Sequence, residues 1–333
     1  MTRFELHGSP ADPSVRADAA ATHTRVGLLG LLAGRGRRMR RARVPGTAAV
    51  VGYGWGLIDT FTQRWWPQGI ATGDFGGVPL VITSWYAQPK RGVEQGVRIS
   101  VIDLRNPKRA RFHHVLLVSP RRDGAGVVFD PVVVHAGGLV WSGDRLLVAA
   151  TKGGLLEFRL SDILDVRRSR VSGYRYLLPL HGEFRQPKAP KNGMLRYSFV
   201  AEDPTDDAEL RLVVGEYSTG EGGRLSRFVL ADDASTVDDT HVPGIAQMQG
   251  VVIVDGVWFV NASRGDKLGG DLWVGAEGAM VRREHALPPG PEDLAVWPER
   301  RQLWSVTEFP GKRWVFAVDL DRSRDAQSEV PAP

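Results

Sequence analysis

From residue 47 onward the apolar positions come in short alternating bursts and not with a helical period. Val97, Ile99 and Val101 interleave with Arg98 and Ser100, the period of two expected of a half-buried strand. The bursts follow one grammar. A phrase made of a turn residue, a polar or small residue, a small residue and a large apolar residue occurs five times: Pro67-Gln68-Gly69-Ile70, Ala136-Gly137-Gly138-Leu139, Arg196-Tyr197-Ser198-Phe199, Met248-Gln249-Gly250-Val251 and Pro291-Glu292-Asp293-Leu294. After each phrase the pattern predicts a turn and a second strand, at 80–85, 145–151, 211–217, 257–263 and 302–308. A third strand follows, at 97–104, 154–160, 224–230, 271–275 and 314–320.

The spacing between successive phrases shrinks from 69 to 43 residues, so the grammar is constant while the loops absorb the difference in length. That behaviour predicts an all-β chain folded as a five-bladed β-propeller of four-stranded antiparallel blades, because stacking similar units around an axis buries both faces of each and protects their edges. A six-bladed ring and a β-sandwich are the competing architectures. All ten Trp lie at or beyond residue 55, where wedges between blades need large flat side chains. Outer strands are visible at 114–118 and 176–180, but none follows residue 320. Residues 47–53 are therefore expected to complete the last blade by pairing the two ends of the chain. Only 161–170 reads as a short helix.

Composition changes the picture in two places. The chain has no Cys, which removes disulfides, thiolate metal sites and thiol nucleophiles. Its formal charge of +5 is concentrated at one end: residues 1–46 hold nine Arg against Glu5, Asp12 and Asp18, leaving the remainder close to neutral. A nucleic-acid surface needs clustered cations on the fold itself, so no nucleic-acid partner is expected of the propeller body. The expected organisation is a basic, disordered extension or degenerate targeting segment at 1–46, one propeller domain at 47–322, and a flexible tail at 323–333. The apolar run 26–34 is too short to span a bilayer, and its basic residues follow it, whereas a signal peptide places them first. A start at Met39 would give a weak leader at best.

In a propeller, the loop entering the innermost strand and the loop joining the second and third strands open on one face. This gathers Gln68, His135, Arg196, Tyr197, Gln249, Glu292 and Asp293 with Trp65, Trp66, Trp85, Tyr86, Lys152, Glu216, Tyr217, Ser263, Arg264, Asp266 and Glu308. The second residue of the phrase is Gln, Gly, Tyr, Gln or Glu, which predicts a polar cup where small residues alone would suit a crowded axis. Glu292, Asp293, His135 and Glu216 are the candidate catalytic groups. Two carboxyl groups roughly 5–10 Å apart would suit glycoside hydrolysis, and His135 suits general-base work. Trp66, Gln68, Trp85, Arg196, Tyr197, Gln249, Arg264 and Glu308 are the candidate ligand-binding groups. The plainer alternative pairs Glu216 or Glu308 with Arg196, Arg264, Lys152 or Arg313 as ordinary ion pairs. The acidic stretches 202–209 and 232–239 read as solvated hairpin tips. No spacing marks a metal or cofactor site, and neither a serine-nucleophile signature nor a phosphate-cradling loop is present.

The phrases WWPQG at 65–69, VHAGG at 134–138, MQG at 248–250 and GPEDL at 290–294 resemble a group of actinobacterial propeller-like proteins described as secreted. The resemblance covers residues 60–320 and implies the propeller fold and export, with no assigned activity. More remotely the architecture is similar to five-bladed glycosidases of the arabinanase kind, without residue-by-residue correspondence of their carboxylates. The expectations are a monomer with no membrane span that binds a small polar molecule or saccharide. An enzyme of hydrolase, lyase or isomerase type using the same mouth is the alternative, and a protein-interaction scaffold the second.

Overall fold

Each phrase lies at the start of the first strand of a four-stranded antiparallel meander. The computed structural model describes residues 4–88, 96–124, 126–167, 170–187, 194–204 and 209–325. The first meander runs through Trp65–Phe75, Val78–Ala87, Val97–Asp103 and Arg111–Asp123. The second uses Leu139–Ser142, Arg145–Ala150, Gly154–Arg159 and Tyr176–Arg185. The third uses Phe199–Glu202, Leu210–Gly215, Leu225–Leu230 and Ala234–His241. The fourth uses Met248–Val254, Val257–Ala262, Gly270–Ala276 and Ala279–Leu287. The last takes Pro291–Trp297, Gln302–Thr307 and Trp314–Asp319, and its outer strand is Ala49–Gly54, so the last blade is completed from the N-terminal side as expected.

The first strands of the meanders are neighbours in a closed circuit: each packs on the next, and the last returns to the first. This radial closure makes the chain a β-propeller. The small third residue of the phrase is the reason the circuit closes. A Cβ on Gly138 would stand 2.3 Å from Val200 N, and one on Gly250 would stand 2.4 Å from Leu294 N. No side chain fits between backbones that close, which is why glycine recurs there.

Two features depart from isolated four-stranded units. Arg111–Asp123 pairs in parallel with Tyr176–Arg185, joining the first two meanders. Leu6–Pro10 lies between Tyr176–Arg185 and Ala234–His241 and joins the second to the third. The three meanders and the N-terminal strands thus form one 17-stranded sheet. Both additions satisfy backbone groups that an exposed outer edge would leave open.

The N-terminal segment, expected to extend freely, is packed on the fold from Phe4 onward. Leu28, Leu31 and Leu32 share the inner face of helix Gly27–Ala33 and are buried with Phe4, Leu6, Val15, Ala19 and Met39. The apolar run that resembles half a leader is therefore nearly two turns of core-facing helix, its buried leucines spaced i, i+3, i+4. The helix expected at 161–170 is absent among the described residues. A 3-10 turn, Leu160–Asp162, is held by Asp144, whose side chain accepts from Ser161 N and Oγ at 2.7 Å each, and strand Leu164–Asp165 follows. Residues 168–169 lie outside the described residues. The stretch 232–239 is mostly strand, within Ala234–His241, and 205–208 of the other acidic stretch lie outside the described residues. Helix Leu320–Asp325 caps the C-terminal side; 326–333 lie outside the described residues. Among the described residues no helix is long and apolar enough to cross a membrane.

Candidate functional site

Three of the five second-position residues meet at one end of the axis. Gln249 Nε2 donates to Glu292 Oε1 at 3.2 Å, and Gln68 Nε2 donates to Glu308 Oε2 at 3.1 Å. The carboxyl groups of Glu292 and Glu308 hydrogen-bond one another. The result is a row of amide, carboxyl, carboxyl, amide contributed by the fourth, last and first meanders. Glu292 is held from behind, its backbone carbonyl accepting from Ser305 Oγ at 2.9 Å and from Asn261 Nδ2.

Two carboxyl groups in contact cannot both ionise without strong repulsion. Burial, the charge and hydrogen bond of Glu308, and nearby Asp293 hold the Glu292 carboxyl well above the usual carboxylate range. Burial raises Glu308 to about 7, offset by hydrogen bonds from Glu292 and Gln68 and by the Arg313 charge. The pair is therefore most stable when its two carboxyl groups share one proton. The charges of Glu308 and Glu292 reach Tyr86, whose phenol is pushed up by burial and by both of them. Arg313 is 1% exposed and donates from Nε to the Glu308 carbonyl at 2.7 Å and from Nη1 to the carbonyls of Asp59 and Thr62. Burial and Arg98 lower Arg313 to about 10, opposed by Glu308, Asp59 and Tyr86. Trp66 forms the rim, with Phe309 edge-on at 5.9 Å and Arg313 at 5.8 Å from its ring.

Asp293, next to Glu292, is fully buried and does different work. Its Oδ2 accepts from Ile70 N and Leu139 N, both at 3.0 Å. The residues preceding those donors are Gly69 and Gly138, so a carboxyl side chain from the last meander fills room that the small third residues leave open. Burial raises its pKa well above the usual range, against the stabilising N–H groups of Ile70, Leu139 and Leu294. It joins strands across the axis and does not face the cup.

Other expected residues go elsewhere. Trp85 is fully buried against Trp55 at 4.8 Å, with Arg98 at 4.5 Å from its ring; alternation along its strand turns Tyr86, one residue on, to the cup instead. Tyr197 is buried beside Phe228, 6.1 Å between rings. Glu216 is occupied by Arg224, Nε to Oε2 at 2.6 Å and Nη2 to Oε1 at 2.7 Å, and it also accepts from Arg196 N at 2.8 Å. Arg264 reaches Asp271 at 3.6 Å. His135 and Arg196 line a neighbouring recess of about 560 Å³ with Lys152 and Arg185. There partial desolvation and the Arg196 charge lower the imidazole pKa, and the His135 ring lies 4.2 Å from that of Tyr86. Of the candidates, Gln68, Gln249, Glu292 and Glu308 come together with Trp66 at the edge.

A buried polar cluster lies behind Arg313, and nothing in the sequence pattern marks it. Asp59, 1% exposed, pairs with Arg37 and Arg98 at 2.9 Å each and with His114 Nε2 at 3.1 Å. Burial and Arg98 lower His114 to about 3, against Asp59, so it is neutral; Asp59 accepts from Nε2–H, and Ser100 Oγ donates to Nδ1 at 2.9 Å. Ser100 is fully buried, which makes this serine, histidine and aspartate chain a structural one.

The chain matches no protein-family model and no curated protein sequence. Among solved structures it is similar to CoXyl43, a GH43 β-xylosidase/α-arabinofuranosidase from a compost microbial metagenome in complex with xylotriose, at 10% identity and a TM-score of 0.41 over 83% of this chain and 94% of that one. It is similar to a chain of the nidogen/laminin complex at 9% identity and a TM-score of 0.42, over 86% and 90%. Myxococcus xanthus glutaminyl cyclase matches at 12% identity and a TM-score of 0.40, over 85% and 97%. Likeness at this level transfers no residue role and no activity.

Proposed function

We propose that the closed circuit is a five-bladed propeller, each meander one blade, acting as a monomer that binds a small hydroxylated ligand, such as a saccharide end, at its axial mouth. The observation that carries this reading is the row Gln249, Glu292, Glu308, Gln68. It holds two amides, a protonated carboxyl and an ionisable carboxyl in one place, a set that can donate to and accept from vicinal hydroxyls. Tyr86 and Trp66 supply flat surfaces beside it, as sugar rings require. Calorimetric titration against a panel of mono- and oligosaccharides and polyols tests the reading. One class is expected to bind, with Glu308→Ala weakening it by about ten- to a hundred-fold, the value of hydrogen bonds to a charged group. Silence of the whole panel, or binding indifferent to Glu308→Ala and Gln249→Ala, would refute it.

The shared proton favours one second reading, a carboxyl-dependent hydrolase. A pair with one acid and one base can activate water and protonate a leaving group. The contact between Glu292 and Glu308 is closer than the roughly 5–10 Å separation of glycosidase carboxyls, so the dyad arrangement is the one this reading uses. Glu292→Gln would then abolish turnover while leaving ligand binding in place. Membership of the secreted actinobacterial group belongs to this proposal on the strength of its phrases.

A further inference from the structure

The helix Leu57–Phe61 is amphipathic the wrong way round. Its one carboxylate, Asp59, is buried, while Leu57, Ile58 and Phe61 are 75%, 73% and 59% exposed. These are three of the four most exposed large apolar side chains among the described residues. The inversion is built in. Asp59 is drawn inward by Arg37, Arg98 and His114, and Arg313 grips the carbonyls of Asp59 and Thr62, so the apolar side chains have only the outward direction left. Exposed apolar residues are ordinary singly, but a cluster held outward marks a contact surface.

Beside this helix lies a strongly basic recess. About 680 Å³ in volume, it is lined by Arg38, Arg40, Arg41, Lys108, Arg109 and Arg111 together with Leu57, and by no carboxylate among the described residues. The arginines are placed by backbone pairing: Arg38 opposite Arg111, and Arg40 and Arg41 opposite Gly54 and Tyr53. The Arg37–Asp59 pair, 2.9 Å, ties this basic ribbon to the helix. Folding thus turns a basic N-terminal run into a fixed cationic face with an apolar tip at its border.

We infer that this face docks on an anionic phospholipid bilayer, the cations meeting lipid headgroups and Leu57, Ile58 and Phe61 entering the interface. Charge complementarity selects an anionic partner, and the aliphatic tip selects a bilayer over a nucleic acid, whose backbone offers nothing for leucine and isoleucine to enter. The inference is independent of what the axial mouth binds.

Co-sedimentation of the full chain with phosphatidylcholine vesicles, with and without phosphatidylserine, tests it. Binding is expected only with phosphatidylserine and is expected to fall with added salt. Arg38→Ala, Arg40→Ala and Arg41→Ala combined should weaken it by roughly a hundred-fold. Leu57→Ser with Ile58→Ser and Phe61→Ser should also abolish it; all six side chains are on the surface, and unchanged circular dichroism and Tm would confirm intact folding. Failure to bind phosphatidylserine vesicles, equal binding to neutral vesicles, or indifference to either set of substitutions would overturn the inference. So would tight binding to duplex DNA that the serine substitutions leave untouched, since that would assign the face to nucleic acid.

Discussion

Asp293 Oδ2 lies 3.0 Å from Leu139 N, and the two residues belong to meanders that are not neighbours in the circuit. The same oxygen holds Ile70 N. A single carboxyl side chain thus satisfies donors on two strands that have no ladder partner on that side. Asp293→Ala is expected to leave both N–H groups buried and unpaired and to cost about 2–5 kcal/mol of stability. Asp293→Asn, which keeps an acceptor oxygen, should cost clearly less. Urea denaturation of both variants measures the difference, and equal losses would remove the proposed role.

The carboxyl pair predicts an unusual pH profile. Glu308 is raised in the folded protein to about 7 from an ordinary value of 4.5. A carboxyl raised on folding favours the folded state when protonated, so its contribution is complete below about pH 4.5 and is lost as pH climbs through about 7. Tm is expected to decline across this window, and Glu308→Gln, which stays neutral, should flatten the decline. A profile that rises from pH 5 to pH 7 in the parent and is unchanged in the variant would contradict this.

Crowding at the axis makes Gly138 a sensitive position. A methyl group there would meet Val200 N at 2.3 Å, and the obstacle is backbone, which cannot rotate away. Gly138→Ala should therefore destabilise by more than about 3 kcal/mol, beyond the usual range for a small overpacking change. Gly76→Ala is the control for backbone strain alone, because Gly76 has a φ of +58° and open space around it; its cost should be near 1 kcal/mol.

The N-terminal segment should behave as part of the fold. Removing residues 1–33 strips Leu6–Pro10 from two outer strands and uncovers the surface beneath Leu28, Leu31 and Leu32. Lower Tm and increased binding of a hydrophobic dye are expected. A truncated protein as stable as the full chain would show that the segment merely rests on the surface.

The strands and the phrase were legible because both follow from rules that act locally: alternation marks a strand, and a small residue marks close approach of backbones. Predicted strand limits such as 154–160 and 314–320 meet the observed Gly154–Arg159 and Trp314–Asp319 within a residue. The direction of individual side chains was harder to read. Tyr197 occupies the same phrase position as Gln68, but its strand starts only at Phe199, whereas Gln68, Gln249 and Glu292 stand at bulges inside strands already begun; Tyr197 packs beside Phe228. Trp85 and Tyr86 differ by one step of alternation, which moves a side chain from core to cup. Asp59 left no trace in the pattern, because its partners Arg98 and His114 are 39 and 55 residues away and only the folded chain brings them together. The N-terminal segment is faint in the pattern for a related reason: helix Pro13–Thr22 buries only Val15 and Ala19, and the leucines of Gly27–Ala33 span just seven residues, so neither apolar period stands out.

Because Ala49–Gly54 pairs with Trp314–Asp319, the ring cannot shut until the ribosome has made some 260 further residues. Throughout that interval an early strand waits with only the two-residue strand Arg40–Arg41 to pair with. Closure is thus postponed to the final stage of synthesis, and a product cut short before residue 314 would carry an open seam to which a neighbouring chain could add a strand.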